Sequence, residues 1–576
     1  MLFRSIILPF LVIFWASLGS ATPNCPFLGF DLPSARAPSN STAVHTAKRN
    51  VTYLIHELLH DQLATVNSTS FSVQAYSTHE ESVLFEYHYA APVGQVGTSS
   101  VDGNTVYRIG SVSKLLFIYL WLIEDGDIHF NDAITNFVPE LAQDAETSTG
   151  ILQPLWRDIT IGELASHLGG IGRDYSTPSE ALLVLPPNTL SELDLPPPTE
   201  TVPCGLGEAS RPCDRTDFFE NYLQRRPVFT SSKTPIYSNV AFRILGYALE
   251  TITGISFDDL FTNDFVNRLN LPGTSLSIPK NGTPSVIPVS PEESWWNYDL
   301  GENAPAGGVY STPSDLSAIG RSILKSSILS ASLTRRWLTP RTHTSSLIES
   351  VGAPWEIERV PLLPNQTIDL YTKNGGVGLY GALLVLSPDL DFGVTLTAGG
   401  PANIEVMEAL IEVVLQNFMP ALRLAAQEEA QNNLAGTYSN PALNASIKIN
   451  TQANRTGLVV SDWIYNSTEV SAIYNVASGS DPDTPLDIAL YPTGIQSGLK
   501  NGTQNVYYRA VFQEQAPDES PDTTPGTIVE PCSSWASADS LSYGNVALDD
   551  IAFTLDCKGR AISVEPRFLG VTLKRL

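Results

Sequence analysis

The sequence predicts a mixed α/β domain followed by a small antiparallel β domain. Three observations predict it. Alternating apolar and polar runs stand near both ends of the first 430 residues, "SFSVQAYS" and "SVLFEYHYA" early and residues 368–397 late, and a period of two marks strands with one buried face. Between them the spacing turns helical, and nine consecutive apolar residues, Leu115 to Ile123, predict a helix buried on every side. Past residue 430 the texture changes to short runs ("ASIKI", "GLVVSDWIY", "LDIALY", "NVYYRAVF", "IAFTL", "GVTLKRL") separated by turn residues, the pattern of a small barrel or sandwich.

Taken in order, the chain begins with "MLFRSIILPFLVIFWASLGSATP": Arg4 in a short basic region, an apolar run from Ile6 to Trp15, then small residues at Gly19 and Ala21. That is the layout of a secretory signal peptide over residues 1–21, with an apolar run too short to span a bilayer comfortably. The mature chain is therefore expected to be extracellular, without a stable membrane anchor. Nine N-x-S/T sequons agree with secretion: Asn40, Asn50, Asn67, Asn281, Asn365, Asn444, Asn454, Asn466 and Asn501. A helix is expected near 51–64 and strands over 70–77 and 82–90. An apolar helix follows Ser111. Residues 176–232 are Pro-rich and are expected to form a surface insertion. A helix begins at Asn239 or just beyond, strands meet around Ser387-Pro388-Asp389, and "NIEVMEALIEVVLQNFM" is helical. The main domain is drawn over 22–428 and the β domain over 429–576.

Of the 576 residues 43% are hydrophobic and 16% charged, and the formal net charge is −27. Such a chain buries a large core and repels phosphate backbones and anionic lipid, which argues against nucleic acid as a partner. Five cysteines cannot all pair within one chain. Cys204 with Cys213 and Cys532 with Cys557 are the expected bridges, leaving Cys25 over.

Two motifs compete for the chemistry. His56-Glu57-Leu58-Leu59-His60 spells H-E-x-x-H, the zinc-peptidase pattern, with Glu80 downstream as a nominal third ligand. At about 100° per residue, however, Val51, Leu54, Ile55, Leu58 and Leu59 form one stripe and both histidines point the other way. The expected structure is an amphipathic helix with its histidines in water; no metal or cofactor is assigned, and a zinc peptidase is the remote alternative.

The second motif is Ser111-x-x-Lys114 at the head of the buried helix, where a nucleophile and a base share one helical face and the first N–H groups are unsatisfied donors suited to an oxyanion. A lone S-x-x-K is weak; Ser497-Gly-Leu-Lys500, in a turn, is a decoy. Two further segments raise its weight: Tyr237-Ser238-Asn239 before a helix, and Lys373-Asn374-Gly375-Gly376 at the end of "IDLYTKNGG". The copies Tyr438-Ser439-Asn440, Lys280-Asn281-Gly282 and Lys500-Asn501-Gly502 lack those contexts.

With these residues, and with "RIGSVSKLLF", "DITIGELASHLGGIGR", "PIYSNVAFRILGYALE" and "APAGGVYSTPSDLSAIG", residues 45–420 resemble the serine β-lactamase-like superfamily, in its class C β-lactamase, D-alanyl-D-alanine carboxypeptidase and esterase branch. The whole layout is most similar to secreted fungal β-lactamase-like proteins. The resemblance implies a sandwich of a mostly antiparallel sheet flanked by helices, beside an all-helical region, with the site between. It implies a secreted serine hydrolase or acyltransferase acting through an acyl-enzyme on an ester, amide or lactone. Ser111 would be the nucleophile, Lys114 or Tyr237 its base, Asn239 and Lys373 orienting groups, and the N–H groups of Ser111 and Gly376 the oxyanion hole. Asn374 and Gly375 would meet the substrate, a small molecule or peptide-like acyl compound. Asn374 stands where the family commonly has Thr or Ser, which weakens the expectation of carboxylate recognition. Trp295 and Trp296 are candidate pocket walls, with core or loop packing as the competing role, and His167 is expected to be structural. A fold-retaining binding protein without turnover is the alternative; oligomeric state is not indicated.

Overall fold

A computed structural model describes residues 26–61, 66–145, 150–176, 202, 204–205, 211–363, 366–514 and 534–576. The signal-like segment, Cys25, Asn365 and Cys532 lie outside them. Two compact units emerge. One comprises residues 34–362 and 367–426; the other comprises 427–576 together with residues before 34 and the 363–366 stretch.

In the first unit, helix α1 (Thr42–Asp61) starts nine residues before its expected position. Val44, Ala47, Val51 and Ile55 are its buried stripe, at helical spacing. Leu54, assigned to that stripe from sequence, is instead exposed, and His56 and His60 are exposed as expected. Glu80 accepts from the N–H and hydroxyl of Ser39, at 3.2 and 2.6 Å. The zinc pattern is thus an outward helix face plus a loop-fastening carboxylate.

The central sheet has eight strands among the described residues: β1 (Ser70–Ser77), β2 (Phe85–Tyr89), β3 (Thr342–His343), β4 (Glu349–Val351), β5 (Glu356–Leu363), β6 (Gln366–Val377), β7 (Tyr380–Ser387) and β8 (Phe392–Gly399), in the order β2-β1-β8-β7-β6-β5-β4-β3. Its two faces follow from residue alternation. Val385 on β7 and Phe71, Val73 and Ala75 on β1 pack on one side with α1 and α6 (Asn403–Asn433). Ala382, Leu384 and Leu386 turn to the other side, onto α2 (Val112–Glu124), α4 (Val240–Thr253) and α5 (Pro313–Leu324). Every residue of α2 from Val112 to Leu122 is buried, as its unbroken apolar run requires.

The expected surface insertion is a correction. Cys204 and Cys213 do form a disulfide, but both are buried in the main core, and α3 (Arg215–Tyr222) sends Phe218, Phe219 and Tyr222 into it. Prolines set the backbone of this segment, whereas its aromatic residues decide where it packs.

In the second unit the strands are β9 (Gly436–Asn440), β10 (Ala445–Asn450), β11 (Leu458–Tyr465), β12 (Thr468–Glu469), β13 (Leu486–Gln496), β14 (Thr503–Glu514), β15 (Asp550–Asp556), β16 (Ala561–Pro566) and β17 (Leu573–Arg575). They run β10-β9-β17-β16-β15-β14-β13-β11-β12, and a further β10–β11 pairing closes the ring into an antiparallel barrel. Tyr438, Ile447, Leu490, Tyr508, Phe553 and Val564 are buried. Cys557 sits in the turn after β15 as an exposed free thiol, contrary to the expected Cys532–Cys557 bridge: a hairpin tip directed at solvent holds no described partner. Seven of the described sequon asparagines are exposed; Asn67 is half-buried and accepts from the Tyr89 hydroxyl at 3.2 Å.

Candidate active site

Serine and asparagine are among the best helix N-caps because their side chains satisfy the first free N–H groups. Other helices use that device: Thr160 and Asp214 each form a full capping box. At α2 and α4 the cap residues Ser111 and Asn239 hold helical backbone angles and make no capping bond. Their side chains turn to Lys114 instead. The lysine, itself 0% exposed, reaches Ser111 Oγ at 3.0 Å, Asn239 Oδ1 at 2.5 Å and the Ala306 carbonyl at 2.5 Å. Asn239 Nδ2 in turn donates to Asp174 Oδ1 at 2.5 Å, which fixes its oxygen toward the lysine.

The 237–239 segment is held by "SHLGGIGRD". Ile236 N–H donates to the His167 carbonyl, Asn239 N–H to the Arg173 carbonyl and Ser238 Oγ to the Gly172 carbonyl, all at 2.8 Å. His167 stacks on Tyr237 with ring centroids 4.4 Å apart and accepts at Nδ1 from Ser238 N–H. Burial first, and then the nearby Lys114, Lys373 and Arg173, hold its pKa far below the usual range, so the ring is neutral. Its proton then sits on Nε2, which is buried without a partner among the described residues. The structural role expected for His167 is this: a neutral plate beneath the Tyr237 phenol.

Lys373 and Gly375 lie two apart on β6, opposite Leu384 and Ala382, and so share the face turned to α2. There the backbones approach so closely that only glycine fits. A Cβ on Gly375 would stand 2.1 Å from the Ile109 carbonyl and 2.8 Å from Ser111 N, and one on Gly110, whose φ is +48°, would stand 2.6 Å from Gly376 N. This juxtaposition sets the Ser111 and Gly376 backbones side by side, as an oxyanion hole needs. Lys373 Nζ lies 5.3 Å and Lys114 Nζ 5.0 Å from the Tyr237 ring centre.

These neighbours shift both acids. Burial is the main influence lowering Lys114 to about 8, and Lys373 adds to it, while Tyr237 works the other way. For Tyr237 burial favours the neutral phenol, yet the two ammoniums and the hydrogen bonds to Ser111 and Lys114 outweigh it, and its pKa is lowered.

The open cleft above these groups has a volume of about 720 Å³ and is lined by Ser111, Tyr237, Asn239, Lys373, Asn374, Gly375 and Gly376, together with Trp295. All the residues expected at the site thus meet in one place, except that Lys114 lies beneath its floor. Trp296, by contrast, is 4% exposed and packs between Tyr310 and Tyr380. Trp295 has φ of +63°; Arg108 Nη1 donates to its carbonyl and to that of Tyr298, and Gly378 leaves room beside its Cβ. The sequence decoys fall elsewhere, with Tyr438 and Lys500 in the second unit.

Sequence reasoning missed three participants. Asp174 and the Ala306 carbonyl orient Asn239 and Lys114. Glu356, at the start of β5, bonds Lys373 Nζ at 2.5 Å through Oε1 and accepts the Asn374 N–H at 2.9 Å through Oε2. In "PWEIERV" it reads as an ordinary outward strand carboxylate, with no local signal to mark it. Asp174, directly after "GGIGR", had a faint one.

Residues 72–416 match the family model described as "Beta-lactamase", and residues 426–576 match one described as "Beta-lactamase-like-like, C-terminal domain". A "Beta-lactamase-like protein" of Arthroderma benhamiae is 29% identical over 96% of both chains. A protein of a Phoma species described as a probable hydrolase is 29% identical over 70% of this chain and 67% of its own. Among solved structures, a β-lactamase/D-alanine carboxypeptidase from Yersinia pestis covers 66% of this chain and 99% of its own, with 17% identity and a TM-score of 0.47. With more than half of its length matched by that first model, the chain belongs to the beta-lactamase family of hydrolases.

Proposed function

We propose that the protein is a secreted serine hydrolase or acyltransferase that forms an acyl-enzyme on Ser111 from an ester, amide or lactone. The observation that carries this reading is the bond from Lys114 Nζ to Ser111 Oγ, made where Tyr237 and the Gly375-Gly376 backbone converge. Ser111 Oγ attacks the acyl carbonyl, its proton passes to the Lys114–Tyr237 pair, and the oxyanion is held by the Ser111 and Gly376 N–H groups. The pair returns the proton to the leaving group, then takes one from water, or from a second alcohol, for deacylation.

The lysine's contacts suit this proton transfer. Two of its three partners, Asn239 Oδ1 and the Ala306 carbonyl, only accept, and a neutral amine has just two N–H groups for them. Its lone pair then faces the Ser111 hydroxyl. The other form of the pair, ammonium with phenolate, holds the same number of protons, so either group serves as base in one coupled titration. Activity is therefore expected to rise with pH through an apparent pKa near 8, falling about tenfold per pH unit well below it. A kcat/KM profile flat from pH 5 to 9 on a neutral ester speaks against the pair as the base.

The direct test is covalent. Incubation with a fluorophosphonate or a penicillin-type probe is expected to add one adduct per chain, on the peptide carrying Ser111. An adduct elsewhere, or none with any probe, removes the mechanism; an adduct with no turnover on any nitrophenyl ester, β-lactam or D-amino-acid peptide moves the protein to the class of binding proteins. Secretion and glycosylation rest on the N-terminal residues 1–21 and on the exposed sequons.

A further inference from the structure

The site holds cations, yet none is left for an anionic substrate. Lys373, 1% exposed, is gripped on one side by Glu356 Oε1 at 2.5 Å and on the other by the Asn374 carbonyl at 2.7 Å. The same carboxylate takes the Asn374 N–H through its second oxygen, so Glu356 is tied at two points and cannot swing away without losing both. Arg173, the other cation on the cleft wall, lies over the Tyr237 ring with its Nε 3.4 Å from Asp174 Oδ2. Glu408 adds a further exposed carboxylate to the lining. An incoming carboxylate meets paired cations, a surplus acid and the field of a chain with net charge −27.

The rest of the wall is hydrocarbon: Trp295, Leu300, Leu383, Ile404, Met407 and Ile411. Ile404 is 64% exposed at the start of α6, an uncovered apolar surface inside a concave polar-floored cleft, which is what a ligand's apolar body fits.

Resting on the serine acyl-enzyme reading above, we propose that Glu356 is a charge lock that withholds Lys373 from substrate carboxylates, so that the enzyme selects neutral acyl compounds whose hydrocarbon group lies along the Trp295–Ile404–Met407 wall. Glu356 is a positioning residue: it touches Lys373 and the Asn374 backbone, not the reacting atoms.

The test compares two nitrophenyl esters of nearly equal size, the neutral pentanoate and the hemiester of glutaric acid, whose far end is a carboxylate. Wild type is expected to favour the pentanoate in kcat/KM by about tenfold or more, and lengthening the chain to octanoate is expected to lower KM. Glu356→Gln keeps the size and the Asn374 contact but frees the ammonium, and is expected to shrink that preference at least severalfold through the KM of the hemiester. A purely structural Glu356 would lower both substrates alike. As a second measurement on wild type alone, an alkylboronic acid is expected to bind more tightly than a carboxyphenylboronic acid. Equal handling of the two esters, or an unchanged ratio in Glu356→Gln, overturns the inference while leaving the acyl-enzyme reading in place; turnover that survives Ser111→Ala overturns both.

Discussion

Ser111→Ala is expected to lose ester turnover by on the order of 10⁴-fold or more, with no covalent adduct from any acyl-directed probe, while the chain stays folded. The loss is large because no second nucleophile is in reach: Tyr237 and Lys114 point at the hydroxyl that is removed, and water must be both bound and deprotonated to replace it. Stability moves little. The Ser111 side chain makes no capping bond, and the one contact to Lys114 that is lost is a hydrogen bond of about 1 kcal/mol net. The pair of measurements is intact-protein mass after probe treatment and thermal melting. Retained labelling together with an unchanged melting curve would place the nucleophile on another residue.

Lys114→Met is the second large effect. Burying the ammonium lowers its pKa from 10.5 to about 8, so below that value the charge costs the fold on the order of 3 kcal/mol. The sign is that of a depressed lysine: the penalty is present below about pH 8 and is relieved as pH rises from there toward 10.5. Methionine removes this penalty but leaves Asn239 Oδ1 and the Ala306 carbonyl without a donor, at about 1–3 kcal/mol each. The two effects are of similar size and opposite sign, so melting temperature is expected to change by only a few degrees. Activity has no such compensation. Loss of the proton acceptor and of the field that lowers Tyr237 is expected to reduce kcat/KM by about 10²–10⁴-fold, and the rise toward pH 8 is expected to disappear. A melting temperature that collapses with activity would mean that Lys114 is structural first; an unchanged pH profile would remove it from the titrating pair.

Local pattern carried part of this architecture. The run Leu115–Ile123 announced a helix buried all round because no polar face interrupts it, and the alternation in Ser70–Ser77 gave a strand with the same limits. The stretch Thr42–Asp61 shows where such reading stops. Its helical period was clear, but Leu54 fell outside the buried stripe, since the face that is covered depends on the angle at which the sheet meets the helix. The Pro-rich stretch failed for a related reason: turn residues announce irregular backbone, and only its contacts with α4 and the core make Phe218 and Tyr222 interior.

The chain's own order of residues determined that a serine and a lysine would share one helical turn, that a tyrosine and an asparagine would stand at the head of a second helix, and that a lysine would end a strand beside two glycines. Those are short-range relations, fixed by 3.6 residues per turn and by capping chemistry. Tertiary structure alone decided that they meet. The close approach of β6 to α2 at Gly375, the stacking of His167 under Tyr237, and the grip of Glu356 on Lys373 join residues far apart in sequence. Such contacts depend on strand register and helix packing, to which local spacing is blind.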